Sequence, residues 1–248
     1  MYILDVKISS TINCAPMKKF WFFIVCTLPV FAYQSQCGQD RFVHENYFFF
    51  HRDGVFVDIG AHDGVFLSNT YFFEKEMGWK GICIEPIPEV FEQLKANRSA
   101  VCVQGCISDQ TGDKEFLRIS GPVPVEMLSG LIDKYDPRHL DRLRREILIE
   151  GGAADIIDVK CYLLNDLLDE QGIDHINFLS IDTEGGEFEI LSSIDFSHVK
   201  VDVITVENNY GDPRFIPFLS EKGFHFVQSL EEQDMIFLNR SFSFDDWQ

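Results

Sequence analysis

From about residue 36 onward, short apolar runs alternate with stretches whose apolar residues recur every three or four positions. The runs read as strands buried on both faces, and the periodic stretches as helices laid against them. Gly54–Asp58 (GVFVD) and Gly81–Glu85 (GICIE) are apolar runs ending in an acid, and Ala100–Cys106 is a third strand. Phe66–Met77 has helical spacing, and Pro88 opens a helix through Asn97, proline being favoured in a first turn. A further strand is expected over Lys114–Ile119. Regularity then fails. Gly121–Gly152 carries prolines at 122, 124 and 137 and a charged helix around Arg138–Glu150, and reads as an insertion over one end of the sheet. Alternation resumes with a strand at Asp155–Cys161, a helix near Leu163–Gln171 and a strand at Ile176–Asp182. A helix from Glu187, a strand at Val201–Glu207 and a helix at Pro213–Lys222 follow, then strands at Phe224–Gln228 and Met235–Leu238. Such alternation predicts an α/β fold with a mainly parallel sheet.

The chain has 248 residues, 46% apolar and 25% charged, enough for a sizeable core and incompatible with wholesale disorder. Lys and Arg total 21 against 40 Asp and Glu, a net charge of −19. A surface that acidic repels phosphate backbones, which argues against nucleic acid as a partner. Met17-Lys18-Lys19, the apolar run Phe20–Ala32 and Val30-x-Ala32 read as a secretory leader over residues 1–32, so that 33–248 form a single mature domain. Thirteen apolar residues are too few to span a membrane. Any membrane contact would come through this segment, and export or membrane association is expected from it. The sixteen residues before Met17 leave two alternatives, a start at Met17 or a buried N-terminal element in a cytoplasmic protein. Beyond the leader five cysteines remain, an odd number in no zinc pattern; Cys83 and Cys102 sit in strand-like runs as small hydrophobes. No paired spacing of His and Asp points to a metal.

In an open α/β sheet, ligands bind beyond the carboxyl ends of the strands, near the point where strand order reverses. The first strand ends in Val57-Asp58-Ile59-Gly60-Ala61-His62-Asp63-Gly64. Small residues at 60, 61 and 64 allow a sharp turn and close approach to a ligand. Glu85, followed by Pro86, ends the second strand, where an acid can accept both hydroxyls of a ribose. His62 and the missing glycine at 65 depart from the G-x-G-x-x-G of dinucleotide sites, and no phosphate-binding G-x-x-x-x-G-K-[ST] is present. A nucleoside without phosphates fits better, and S-adenosylmethionine is one.

Three segments, FVDIGAHDG (56–64), IEPIPEVFEQLKAN (84–97) and FLSIDTEGGEFEIL (178–191), resemble the FkbM family of S-adenosylmethionine-dependent methyltransferases. The resemblance runs from about Ser35 to Leu238. SQ-x-GQD (35–40) and SNTYFFEK (68–75) look like its Star-like, membrane-associated branch. The resemblance implies a class I methyltransferase fold, a three-layer Rossmann-like sandwich with a seven-stranded, mainly parallel sheet of order 3-2-1-4-5-7-6. It implies O-methylation of sugars or other hydroxylated small molecules. Carried over, Asp58, Gly60 and Ala61, with His62 and Gly64 in the same turn, look like the loop under the methionine moiety. Glu85 resembles the ribose acid, and Ile107, Ser108 and Asp109 the segment along the adenine. Asp182 and Glu184 match the acidic strand end facing the methyl-transfer centre, where they would orient the acceptor or take its proton. Acids at 184 and 187 equally suit the start of a helix, whose dipole favours negative charge. Glu207-Asn208-Asn209 is a further candidate wall of the acceptor pocket. Because fold does not fix function, a non-catalytic binding or trafficking protein on the same fold is the alternative.

Overall fold

The computed structural model describes residues 32–244. The leader reading over Met1–Phe31 therefore lies outside the described residues. Five parallel strands make the centre of the molecule: β1 (Val55–Ile59), β2 (Lys80–Glu85), β3 (Val101–Gln104), β8 (His175–Ile181) and β9 (Lys200–Glu207). The antiparallel pair β10 (Phe224–Leu230) and β11 (Asp234–Asn239) completes the sheet. Its order, β10-β11-β9-β8-β1-β2-β3, is the 3-2-1-4-5-7-6 arrangement implied by the resemblance. A shift of register between Phe226 and Gln228 puts a bulge in β10.

The alternation of side chains gives each face of this sheet its own partner. Val57, Ile59, Ile82, Ile84, Leu179, Ile181, Ile204 and Val206 share one face and one apolar cluster. That cluster also takes in the buried sides of α6 (Leu164–Gln171), α7 (Glu187–Ser193) and α8 (Phe215–Glu221). On the other face Phe56 and Phe178 lie level with each other, and aromatic rings from the π-turn His44–Phe48, which follows α1 (Gln39–Val43), and from α2 (Tyr71–Lys75) close over them. The Phe73 ring packs tilted, 5.2 Å from Phe178 and 4.6 Å from Trp79 between centroids. Much of the phenylalanine content fills this layer. Among the described residues no helix is long and apolar enough to cross a membrane.

Two expectations need correction. The helix over Phe66–Met77 shrinks to α2, because Ser68 and Thr70 engage the backbone and the core instead of extending a helix. The Ser68 hydroxyl accepts from the Thr70 and Tyr71 N–H groups, and Leu67 is left-handed at φ 56°. The run Ala100–Cys106 is one strand in sequence and two in space. Gly105, at φ 147°, turns the chain from β3 into β4 (Cys106–Ile107), which belongs to another sheet. That second sheet, of order β4-β7-β5-β6, joins β5 (Gly112–Ser120), β6 (Gly130–Leu131) and β7 (Ala153–Tyr162). The strand expected at Asp155–Cys161 therefore pairs with β5 rather than extending the main sheet. Between β5 and β7 lie α4 (Val123–Glu126) and α5 (Pro137–Glu150), on either side of β6. Helix α3 (Pro88–Asn97) stands where proline placed it.

Candidate active site

Strand order reverses between β1 and β8, and a cleft of about 340 Å³ opens at their carboxyl ends. Its floor is made by two turns in contact. The Asp182 N–H donates to the Ile59 carbonyl at 3.0 Å, and a Cβ on Gly60 would lie 1.7 Å from the Asp182 carbonyl oxygen. At φ 88°, Gly60 is required by backbone packing as well as by any ligand.

Gly60, His62, Glu85, Pro86, Ile107, Asp182 and Glu184 all line this cleft. Glu85 is 5% exposed and accepts only main-chain donors, Ile87 N–H at 2.8 Å and His62 N–H at 3.1 Å. Burial pushes its carboxyl up to about 8, with the acids Glu126 and Glu89 adding to the rise. Asp182 is pushed well above the carboxylate range by burial and then by Glu184. Glu184, pushed up to about 7 by burial, is held by Arg142 at 3.5 Å and by the Asn209 amide at 3.3 Å. The strand ends at Ile181 and Glu184 is left-handed at φ 55°, so strand alternation does not set its direction. Glu187 closes the turn that leads into α7: its carboxylate accepts from the Thr183 hydroxyl at 3.0 Å and the Gly185 N–H at 2.6 Å. Glu207, at the end of β9, also lines the cleft, and burial with Asp182 and Glu184 nearby pushes it well upward.

The remaining predicted residues sit elsewhere. Asp58 faces the aromatic layer, where it accepts from the Thr70 hydroxyl at 2.6 Å and stands 4.0 Å from Arg98. A Cβ on Gly64 would meet Leu94 and Arg98 at 2.6 Å, so that glycine seats α3. Ala61 is buried, its N–H donating to the Ile84 carbonyl at 3.0 Å. Ser108 receives the Lys114 ammonium at 3.2 Å, and Asp109 pairs with Lys134 at 3.1 Å.

Sequence reasoning placed an insertion over one end of the sheet but named none of its residues as the roof of the cleft. Pro124, Glu126, Met127, Ser129, Leu131 and Arg142 all come from the insertion, which folds over the carboxyl edge of the sheet. His62 reaches across to it, Nε2 lying 3.1 Å from Glu126. The one sequence signal was the break in regularity itself, since the ligand edge is where loops grow long. Gln36 and Leu67 add a wall, brought together by a bridge between Ser35 and Leu67. Glu184 and Glu207 also border a second hollow of about 220 Å³, with Tyr135, Asn208, Asn209 and Tyr210 on its walls.

Residues 58–234 match the model of the methyltransferase FkbM domain, which is well over half of the chain. The chain belongs to the FkbM methyltransferase family. It is 27% identical over 201 residues to the methyltransferase sdnD of Sordaria araneosa, covering 71% of this chain and 75% of that one. Among solved structures it is similar to a methyltransferase FkbM from Methylobacillus flagellatus KT. There the identity is 12% and the TM-score 0.45, with 80% of this chain and 50% of that one covered. A precorrin-6y C5,15-methyltransferase from Geobacter metallireducens GS-15 aligns at 13% identity and TM-score 0.40, covering 82% and 87%. In this FkbM domain the matched stretch begins at Asp58 and ends at Asp234, so it takes in both turns of the cleft floor and the whole insertion.

Proposed function

We propose that the chain transfers a methyl group from S-adenosylmethionine to a hydroxyl oxygen of a sugar, glycan or other small molecule. Glu85 carries the reading. A carboxylate buried in a cleft wall with only two main-chain donors retains acceptor positions for a ribose. The neighbouring residues fit the rest of the cofactor. Ile84, Ile87, Ile107, Phe116 and Leu131 offer an apolar slot for a purine, and Asp182 and Glu207 bring carboxyl groups whose raised values a bound sulfonium and ammonium would lower.

When bound, S-adenosylmethionine supplies a methyl group already activated on positive sulfur. What remains for the protein is to bring the acceptor oxygen into line and receive one proton. Glu184, with a carboxyl at about 7 and its orientation set by Arg142 and Asn209, suits that proton near neutral pH. Asp182 orients the acceptor from the floor. The second hollow, reached past Glu184 and Glu207, holds the body of the acceptor between tyrosines and asparagines.

The test is calorimetric titration of the full-length chain with S-adenosylmethionine. At pH 8.5, above the Glu85 carboxyl at about 8, Glu85→Gln should weaken binding by about 1.5–3 kcal/mol, the range for hydrogen bonds to a charged group. Unchanged affinity would sink the assignment. Asp182→Asn should lower turnover more than affinity, measured as transfer of labelled methyl to a sugar or glycan acceptor. Tight binding with no transfer across a panel of hydroxylated acceptors would favour a non-catalytic binding role.

A further inference from the structure

Of the five cysteines among the described residues, four face one another in pairs across parallel strands. Cys83 lies opposite Cys102 in β2 and β3, and Cys106 opposite Cys161 in β4 and β7. Neighbouring strands run about 4.7–4.9 Å apart, inside the roughly 4.4–6.8 Å Cα separation that a disulfide bridges. Register is therefore permissive for both pairs, and side-chain direction separates them. The Cys102 thiol turns along its own strand and donates to the Ala100 carbonyl, with Sγ 3.5 Å from the oxygen. Cys106 and Cys161 are register partners whose side chains share one face, and both lie in the apolar cluster of Ile87, Val90, Phe116 and Val159. Cys106 also lines the cleft, whereas Cys161 is 1% exposed. Their strands pair over only two residues, beside the break at Gly105, so a covalent tie there would fix a wall otherwise held by few bonds.

We propose that Cys106 and Cys161 are a covalent modification site, a thiol pair that a small-molecule disulfide such as oxidised glutathione closes into a disulfide within the cleft wall. Cys106, reached through the cleft, loses its proton to solvent and attacks one sulfur of the small disulfide, and one glutathione leaves as thiolate. Cys161 then loses its proton and attacks the Cys106 sulfur, forming the intramolecular bond and expelling the second glutathione. The two protons appear on the two glutathiones. Two protein thiols are oxidised and one small disulfide is reduced. The neighbouring Cys106 thiol and the Lys114 ammonium hold the Cys161 thiol below its ordinary value, which favours the closing step. The Cys161 thiol and then burial hold Cys106 well above its own, so the opening step is slow and gains from rising pH. The pair stands whether or not the cleft holds a nucleoside.

The experiment is incubation of the full-length chain with oxidised glutathione, alkylation of the remaining thiols, and peptide mass spectrometry without reduction. The expected result is a Cys106–Cys161 linked peptide, two hydrogens lighter than the free pair and reversed by dithiothreitol, with Cys83 and Cys102 alkylated. Cys161→Ser should stop at a Cys106–glutathione mixed disulfide. A Cys83–Cys102 link in place of the expected one would overturn the proposal. So would Cys106 and Cys161 recovered as free thiols after Cys37 has reacted fully.

Discussion

Asp58 and Glu85 sit on neighbouring strands, at 3% and 5% exposure, and burial pushes both carboxyls upward. Their surroundings differ completely. Asp58 has the Thr70 hydroxyl at 2.6 Å, the Ser68 hydroxyl at 3.5 Å and the Arg98 guanidinium at 4.0 Å, and Arg98 is itself tied to Glu74 at 2.6 Å. Glu85 has two main-chain N–H groups, and the charged groups that shift it are other acids. Burial alone therefore does not distinguish an acid that holds the fold from one proposed to hold a ligand. The supply of side-chain donors does, because a buried charge that its own chain leaves short of partners is costly unless something else completes it.

The hardest way to break this comparison is to remove the cation from the Asp58 side. Arg98→Ala takes from Asp58 its one nearby cation and from Glu74 a 2.6 Å ion pair, and should cost about 3–5 kcal/mol in denaturant unfolding. A loss below about 1 kcal/mol would place both acids in one class. The next effect has the opposite sign. The folded Glu85 carboxyl titrates at about 8 against an ordinary 4.5, so between these values the native state keeps a proton that the unfolded chain has released. Its contribution to stability is complete below about pH 4.5 and is lost as pH rises through 8. Glu85→Gln removes that loss. At pH 8.5 the variant should be more stable by about 1–3 kcal/mol, an advantage that vanishes near pH 4.5 in the same thermal scans. Asp58→Asn should cost about 1–2 kcal/mol while leaving S-adenosylmethionine affinity unchanged in calorimetry. The smallest effect calibrates the scale. Arg41→Ala breaks an exposed helical pair with Glu45 at 3.0 Å and should shift stability by less than about 0.5 kcal/mol.

The two acids were equally visible in the sequence, each at the end of an apolar run after a glycine start, and nothing local distinguished them. Arg98 lies past the whole of α3, and Thr70 lies in a stretch that reads as helix, so the partners of Asp58 are a tertiary fact. The strands were legible because buried parallel strands carry unbroken apolar runs, and their order was legible only through the family resemblance. The split at Gly105 was not, since an apolar run looks the same whether one sheet or two receive it. The roof of the cleft was legible only as irregularity. Its residues face Glu85 and Asp182 across the cleft, and only the folding of the second sheet brings Glu126 to His62.

Both margins of the seven-stranded sheet bear on self-association. An open edge strand presents unpaired N–H and C=O groups to any other chain and is a template for aggregation. At one margin β3 has only four residues before the chain leaves at Gly105, too short a row to recruit a partner strand. At the other, the bulge leaves Val227 without an opposite number on β11, bending β10 in mid-course. A strand approaching β10 would lose its register at that bend. Phe226, 37% exposed beside the bulge, is thereby kept off the flat, regular edge from which fibrils grow.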